Sequence, residues 1–286
     1  MNRFVIIGLP SSGKTTFLAA LWHLVEAKEV DSRLALRRYE GNLEYLNAVA
    51  EAWRSFKPVP RTSQYGVVDV AIELVDTQTG SDARVLFPDI AGEAFDAQVE
   101  SRHCRPRFVQ DSVDEDGILF FVSVDTKQDT LSVVEFNHMM PEGVAGLEPT
   151  IEPGPALKEW EPKYISTQAR IVQLLTDLCR RPFEERPRRI ALVLSAWDLV
   201  AGMGMTPERW LGANMPFVSQ FIRANRATYE CRIYGISAQG VRLDDDAAID
   251  VAASLLPSRR VQVVEGENLG HDLSSPLVWL MAKTPK

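Results

Sequence analysis

An apolar run, a glycine-bearing loop and an amphipathic helix follow one another at the start of this chain, and few folds accommodate that series. Phe4-Val5-Ile6-Ile7 is continuously apolar, which suits a strand covered on both faces. Gly8-Leu9-Pro10-Ser11-Ser12-Gly13-Lys14-Thr15 comes next and matches the phosphate-binding pattern G-x-x-x-x-G-K-[ST]. Leu18, Leu21, Trp22 and Val25 then fall at i, i+3, i+4 and i+7, one apolar helix face. The order predicts a strand and a helix joined by a loop that wraps phosphate.

Each residue type has a physical task there. Glycine lets the backbone approach phosphate oxygens closely. Loop N–H groups and a helix N-terminus favour negative charge. The expected phosphate-binding set is Gly8, Ser11, Ser12, Gly13, Lys14, Thr15 and Thr16. Lys14 brings a cation to the terminal phosphates and is a candidate catalytic residue. The Thr15 hydroxyl is a candidate Mg²⁺ ligand, since that ion takes oxygen donors and shares them with phosphates.

A second cluster lies further along. Val68, Val70, Ile72 and Leu74 alternate with Asp69, Ala71 and Glu73, a period-2 strand. Asp76 to Asp82 is turn chemistry, and Ala83 to Phe87 reads as the return strand. It runs into Pro88-Asp89-Ile90-Ala91-Gly92-Glu93. A carboxylate at the end of a strand beside a phosphate loop can support Mg²⁺ directly or through water. Asp89 is that candidate, and the Gly92 N–H is a candidate contact for a terminal phosphate.

Together these two motifs resemble those of P-loop GTPases of the translation-factor and Ras-like class. Gly8 to Thr15 resembles their first motif, and Asp89-Ile90-Ala91-Gly92 their Asp-x-x-Gly motif. The resemblance implies an α/β fold with a mostly parallel central sheet, one antiparallel hairpin strand and helices on both faces. It implies GTP and GDP as ligands and Mg²⁺ as cofactor. Glu93 takes the place of a water-orienting Gln, so it either contacts the attacking water or begins a solvated helix. A carboxylate near the γ-phosphate implies slow intrinsic hydrolysis or activation by a partner.

The guanine end matches the family only in part. Ile190-Ala191-Leu192-Val193-Leu194 reads as a buried strand, followed by Ser195-Ala196-Trp197-Asp198. The family carries Asn-Lys-x-Asp here. Asp198 matches the Asp that accepts from guanine N1 and N2, whereas Ser195 and Ala196 replace Asn and Lys. That Lys covers the base and braces the phosphate loop, and Ala196 can do neither. Trp197 either stacks on the base or packs in the core. Cys231 to Ile236 reads as another strand and leads into Ser237-Ala238, which resembles the motif whose backbone N–H contacts guanine O6. The four motifs stand in the family's order, each at an expected strand end, where open α/β sheets bind ligands.

The family also closes a Thr onto Mg²⁺ ahead of the hairpin. Thr62 is the candidate for this metal and catalytic role, with Ser63 the alternative and Arg61 either a finger or a surface charge. Residues 34–57, with Leu43, Leu46, Val49, Ala50 and Trp53, show helical spacing and form a first insertion. Residues 126–164 form a second, dense in Pro and Glu, and proline at that density opposes regular structure. Both are read as insertions within a single domain spanning 1–286. Ile171, Leu174, Leu175 and Leu178 mark a further helix, Val261 to Val264 an added strand, and Pro276 to Met281 a closing helix.

Composition narrows the setting. Apolar residues are 45% and charged residues 24% of the chain, enough to build a core. Cys104, Cys179 and Cys231 match neither a metal spacing nor a disulfide framework, which fits a reducing cytoplasm. No apolar stretch approaches a membrane span. The net charge of -8 argues against a broad nucleic-acid surface. With its insertions, reduced Asn-Lys-x-Asp motif and Glu93, the chain is similar to the bacterial double-GTPases. That resemblance implies a conflict or defence setting and a protein effector or activating partner. An ATPase of the same fold and a non-catalytic nucleotide-sensing module are the alternatives.

Overall fold

The computed structural model describes residues 1–59, 70–88, 92–112, 115–125, 161 and 164–282. Thr62, Ser63, Arg61 and Asp89 lie outside them, as does nearly all of the 126–164 insertion. Among these residues the core is a nine-stranded sheet. Its strands are β1 (Asn2–Gly8), β2 (Leu34–Glu40), β3 (Val70–Asp76), β4 (Asp82–Phe87), β5 (Gly117–Ser123), β6 (Arg188–Ser195), β7 (Tyr229–Ser237), β8 (Gln262–Glu265) and β9 (Asn268–Gly270). They lie in the order β2-β3-β4-β1-β5-β6-β7-β8-β9.

The alternation of β1 explains why helices cover both faces. Phe4 and Ile6 point into one core, Val5 and Ile7 into the other. On β5, Leu119 and Phe121 share the first face, and Ile118, Phe120 and Val122 the second. The first face is closed by α1 (Lys14–Ala27), α2 (Leu43–Arg54) and α10 (Ser275–Met281), through Leu21, Trp22, Val49, Trp53 and Leu277. The second is closed by α3 (Gly92–Ser101), α4 (Pro106–Asp111), α5 (Thr167–Asp177), α6 (Pro207–Asn214) and α7 (Pro216–Ala224). These helices contribute Phe95, Phe108, Leu174, Trp210 and Val218. Short helices α8 (Asp246–Ala253) and α9 (Pro257–Arg260) follow β7.

Two expectations are corrected. The sheet is mixed, not mostly parallel with one antiparallel strand. Strands β4-β1-β5-β6-β7 run parallel, but β2-β3, β3-β4, β7-β8 and β8-β9 are antiparallel. The sheet therefore ends antiparallel on both edges. The β8–β9 hairpin turns through Gly266, whose φ of 57° suits a residue without Cβ.

The stretch 34–57 is not uniformly helical either. Its first part is β2, an edge strand with only Leu34 buried. Its register against β3 shifts between Leu36 and Arg38. That bulge interrupts the alternation from which a strand is read. The strand is held by cross-strand charges instead, with Arg84 reaching Glu40 at 2.8 Å. Asn42 then caps α2 by accepting from the Tyr45 N–H at 3.0 Å.

Candidate functional site

The phosphate loop leaves β1 at Gly8 and enters α1 at Lys14. Ser11 and Gly13 hold left-handed backbone, with φ of 56° and 85°. Gly13 cannot be replaced freely. Beyond its φ, a Cβ there would come within 2.9 Å of Ser195 Cβ and Oγ. A Cβ on Gly8 would come within 2.6 Å of Ser12 Oγ and 2.7 Å of the Phe121 carbonyl oxygen. The loop is therefore pressed against β5 and against the end of β6.

Lys14 bridges its own loop. Its ammonium donates to the carbonyl oxygens of Gly8 and Leu9, both at 2.7 Å, and lies 3.1 Å from Ser12 Oγ. Thr15 and Thr16 sit in the first turn of α1, both half-buried. The positive end of the helix dipole lies there. Strand β4 runs parallel beside β1, so its end emerges next to the loop. Asp89 stands two residues past that end in the sequence. Gly92 and Glu93 open α3. Among the described residues, no group of three or more His, Cys, Asp or Glu is placed to hold a metal.

The other end of the site comes from two neighbouring parallel strands. Strands β6 and β7 pair with Ser195 opposite Ile236, so the segments after them leave the sheet side by side. Ala196 takes the left-handed conformation, with φ of 55°, and turns the chain into a short 3₁₀ segment at Trp197–Leu199. Trp197 is in the core. It packs so closely over Gly235 that a Cβ there would meet its ring at 2.4 Å, and it meets Trp210 edge-on at 6.3 Å. Of its two sequence readings, core packing is the one realised.

Asp198 and Ser237 meet. The fully buried Ser237 hydroxyl donates to the Asp198 carboxylate and accepts from the Gly240 N–H at 3.1 Å. One hydroxyl thus holds the carboxylate and folds the following loop back on itself. A cavity of about 430 Å³ lies between the two ends. Ser11, Gly13 and Thr16 line it on the loop side, and Asp198, Ala238 and Gln239 on the other.

Two features escaped the sequence reading. Ser195 donates its hydroxyl to the carbonyl oxygen of Ser12 at 2.9 Å, so the loop brace missing at Ala196 comes from the residue before it. Its only sequence signal was its place at a strand end. The second is Arg170 on α5, which donates to Asp96 at 2.8 Å and Glu100 at 3.0 Å on α3. It also donates to the Ile165 carbonyl at 3.1 Å. No local pattern announces a contact between residues so far apart in the chain. Arg188 opens β6. It is buried, and its Nε lies 2.7 Å from the equally buried Glu115.

No curated protein matches the chain. Among solved structures it is similar to the Saccharomyces cerevisiae Ski7 GTPase-like domain, bound to GDP and inorganic phosphate. The identity is 10% and the TM-score 0.38, over 83% of this chain and 43% of that one. The chain thus spans less than half the length of that structure's chain. The model of the Double-GTPase 1 family matches residues 5–280, from the first strand into the closing helix. On that match the chain belongs to the Double-GTPase 1 family of P-loop GTPases.

Proposed function

We propose that the chain is a Mg²⁺-dependent guanine-nucleotide switch with slow turnover of its own. The observation that carries this reading is the shared cavity. Residues of the phosphate loop line one side of it, and Asp198 and Ala238 line the other. In this reading Gly8, Ser11, Ser12, Gly13, Lys14 and Thr16 hold the phosphates. Asp198 and the Ala238 N–H read the guanine edge, and Ser237 keeps both in place. A hydrogen-bonding site of this kind discriminates strongly, because a wrong base leaves its polar groups unpaired.

Thr15, Asp89 and Thr62 would hold Mg²⁺, which when bound neutralises charge on the β- and γ-phosphates. The oxygen-only character of these three side chains fits that ion. Lys14 supplies a fixed positive charge to the same phosphates. The Gly92 N–H senses the γ-phosphate, and Glu93 borders the attacking water. A carboxylate at that position repels the phosphate charge, so the chemical step is slow. A partner supplying an arginine can raise such rates by about 10³–10⁵. The reading therefore includes a protein activator or effector.

The test is calorimetry with Mg²⁺, using GDP, a non-hydrolysable GTP analogue and the matching adenine nucleotides. Expected is tight guanine binding that Lys14→Ala abolishes and a base preference that Asp198→Ala erases. Equal affinity for adenine nucleotides in the wild type would move the assignment to an ATPase of the same fold.

A further inference from the structure

The loop proposed to read guanine is held from behind by a residue outside every motif. Trp53, near the end of α2, is fully buried, and its indole N–H donates to the carbonyl oxygen of Ala238 at 2.8 Å. The loop answers with a bond of its own, as Gln239 Nε2 donates to the Trp53 carbonyl oxygen at 3.3 Å. Any buried indole N–H seeks an acceptor. Here two successive loop residues bond the same tryptophan, through its ring and through its backbone.

Arg260 of α9 locks that tryptophan from a third direction. Its guanidinium donates to the Trp53 carbonyl oxygen at 2.6 Å and lies 4.2 Å over the rings of both Trp53 and Phe56, an arrangement that cation–π attraction favours. The loop is also packed on the Arg260 backbone. At Gly240, with φ of 80°, a Cβ would come within 2.3 Å of the Arg260 carbonyl oxygen. The segment Ser237–Gly240 is thus boxed in by Asp198 on the cavity side and by Trp53 and Arg260 on the core side.

We infer that Trp53 is a positioning residue for base recognition, fixing the Ala238–Gln239 peptide so that the neighbouring Ala238 N–H and the Asp198 carboxylate present one rigid edge to the purine. This rests on the guanine reading above. Trp53 touches no nucleotide in this account and acts through the loop. Its signature is therefore a loss of base discrimination, not a uniform loss of binding. A donor removed from such a support is worth about a three- to tenfold change.

The experiment compares wild type, Trp53→Phe and Asp198→Ala for GDP and ADP affinity with Mg²⁺, alongside thermal unfolding. Phenylalanine keeps a ring beneath Arg260 while removing the indole donor, and thermal unfolding reports what its smaller volume costs the core. Expected is GDP affinity weakened about three- to tenfold with ADP affinity unchanged. Equal changes for both nucleotides, or none for either, would overturn the inference and leave Trp53 a core residue. Should Trp53→Phe not fold, Arg260→Met, outside the cavity lining, releases the Trp53 carbonyl and ring and carries the same expectation. Asp198→Ala separates the two levels of argument. If it leaves base preference intact, the guanine reading fails and this inference with it. If it erases preference while Trp53→Phe does nothing, only the role of Trp53 fails.

Discussion

The hydroxyl of Ser195 donates to the carbonyl oxygen of Ser12 at 2.9 Å, tying the end of β6 to the middle of the phosphate loop. Both side chains are buried, so water cannot readily replace the bond. Ser195→Ala leaves the Ser12 carbonyl without that donor, at a cost of about 1 kcal/mol. The loop then loses part of its preorganisation. Expected is a loss of about 1 kcal/mol in denaturant unfolding, with a roughly fivefold weaker Kd for GDP. Unchanged affinity would show that the loop keeps its shape without the brace.

Gly13 faces the same serine from the loop side. Gly13→Ala combines a left-handed φ of 85° with a Cβ 2.9 Å from Ser195. An alanine costs about 1 kcal/mol in that conformation alone, and the contact forces Ser195 or the loop to shift. Expected is a GDP affinity lowered by more than tenfold, read by calorimetry, in a protein that still folds. A second change, Ser195→Gly, removes the clashing atoms together with the brace, so relief of the clash shows as a combined loss smaller than the product of the two single losses. Losses that multiply in full would mean that backbone strain alone accounts for the effect of Gly13→Ala.

The parts of this molecule legible in the sequence are those whose signal is local. Gly8 to Thr15 is a contiguous motif, and the strand before it and helix after it are contiguous patterns. The apolar run at β6 is equally local, as is the face of Ile171, Leu174 and Leu175. What was not legible depends on pairing at a distance. Strand β2 exists because Arg84 and the β3 backbone receive it, and its own residues, Leu-Ala-Leu-Arg-Arg-Tyr-Glu, alternate poorly. At the candidate site, Asp198 and Ser237 were found through order and spacing. Ser195, Trp53 and Arg170 were not, because each acts on a residue at least 70 positions away. The mixed sheet was missed for a related reason, since short antiparallel edges such as Asn268–Gly270 carry too few residues to show a period.

The β3–β4 hairpin supplies a pH-dependent contribution to stability. Asp76 is buried and accepts from Arg33 through Nε at 3.1 Å and Nη2 at 2.8 Å. It also accepts from the Gln78 N–H and the Thr79 hydroxyl, both at 2.9 Å. The Arg33 guanidinium, with these turn donors, holds its carboxyl well below the usual carboxylate range despite burial. The folded pKa is thus depressed relative to an unfolded value of about 3.9. Its contribution is fully present above that value and is lost as pH falls through the folded pKa. Asp76→Asn is expected to lower unfolding free energy by about 2 kcal/mol at pH 7. The gap between variant and wild type should narrow as the pH drops below about 4. Urea unfolding across pH checks this, and a gap that widens on acidification would contradict the assignment.

Arg170 offers a separation of binding from turnover. Its guanidinium, one-tenth exposed, joins Asp96 and Glu100 of α3 to α5, and α3 opens with Gly92 and Glu93. The two carboxylates are about one-third exposed, so the pairs contribute little to stability, under about 1 kcal/mol. Their effect is on where the first turn of α3 lies. Arg170→Met should leave GDP affinity within about twofold, because Arg170 does not line the cavity between the phosphate loop and Asp198. It should lower single-turnover GTP hydrolysis by about tenfold, since small misplacements around the reacting groups are costly. Arg170→Lys keeps the charge but can satisfy only one carboxylate well, and an intermediate rate is expected. Equal rates for all three proteins would place α3 outside the control of hydrolysis, whereas a parallel fall in affinity and rate would mean that the pair supports the fold and not the chemical step.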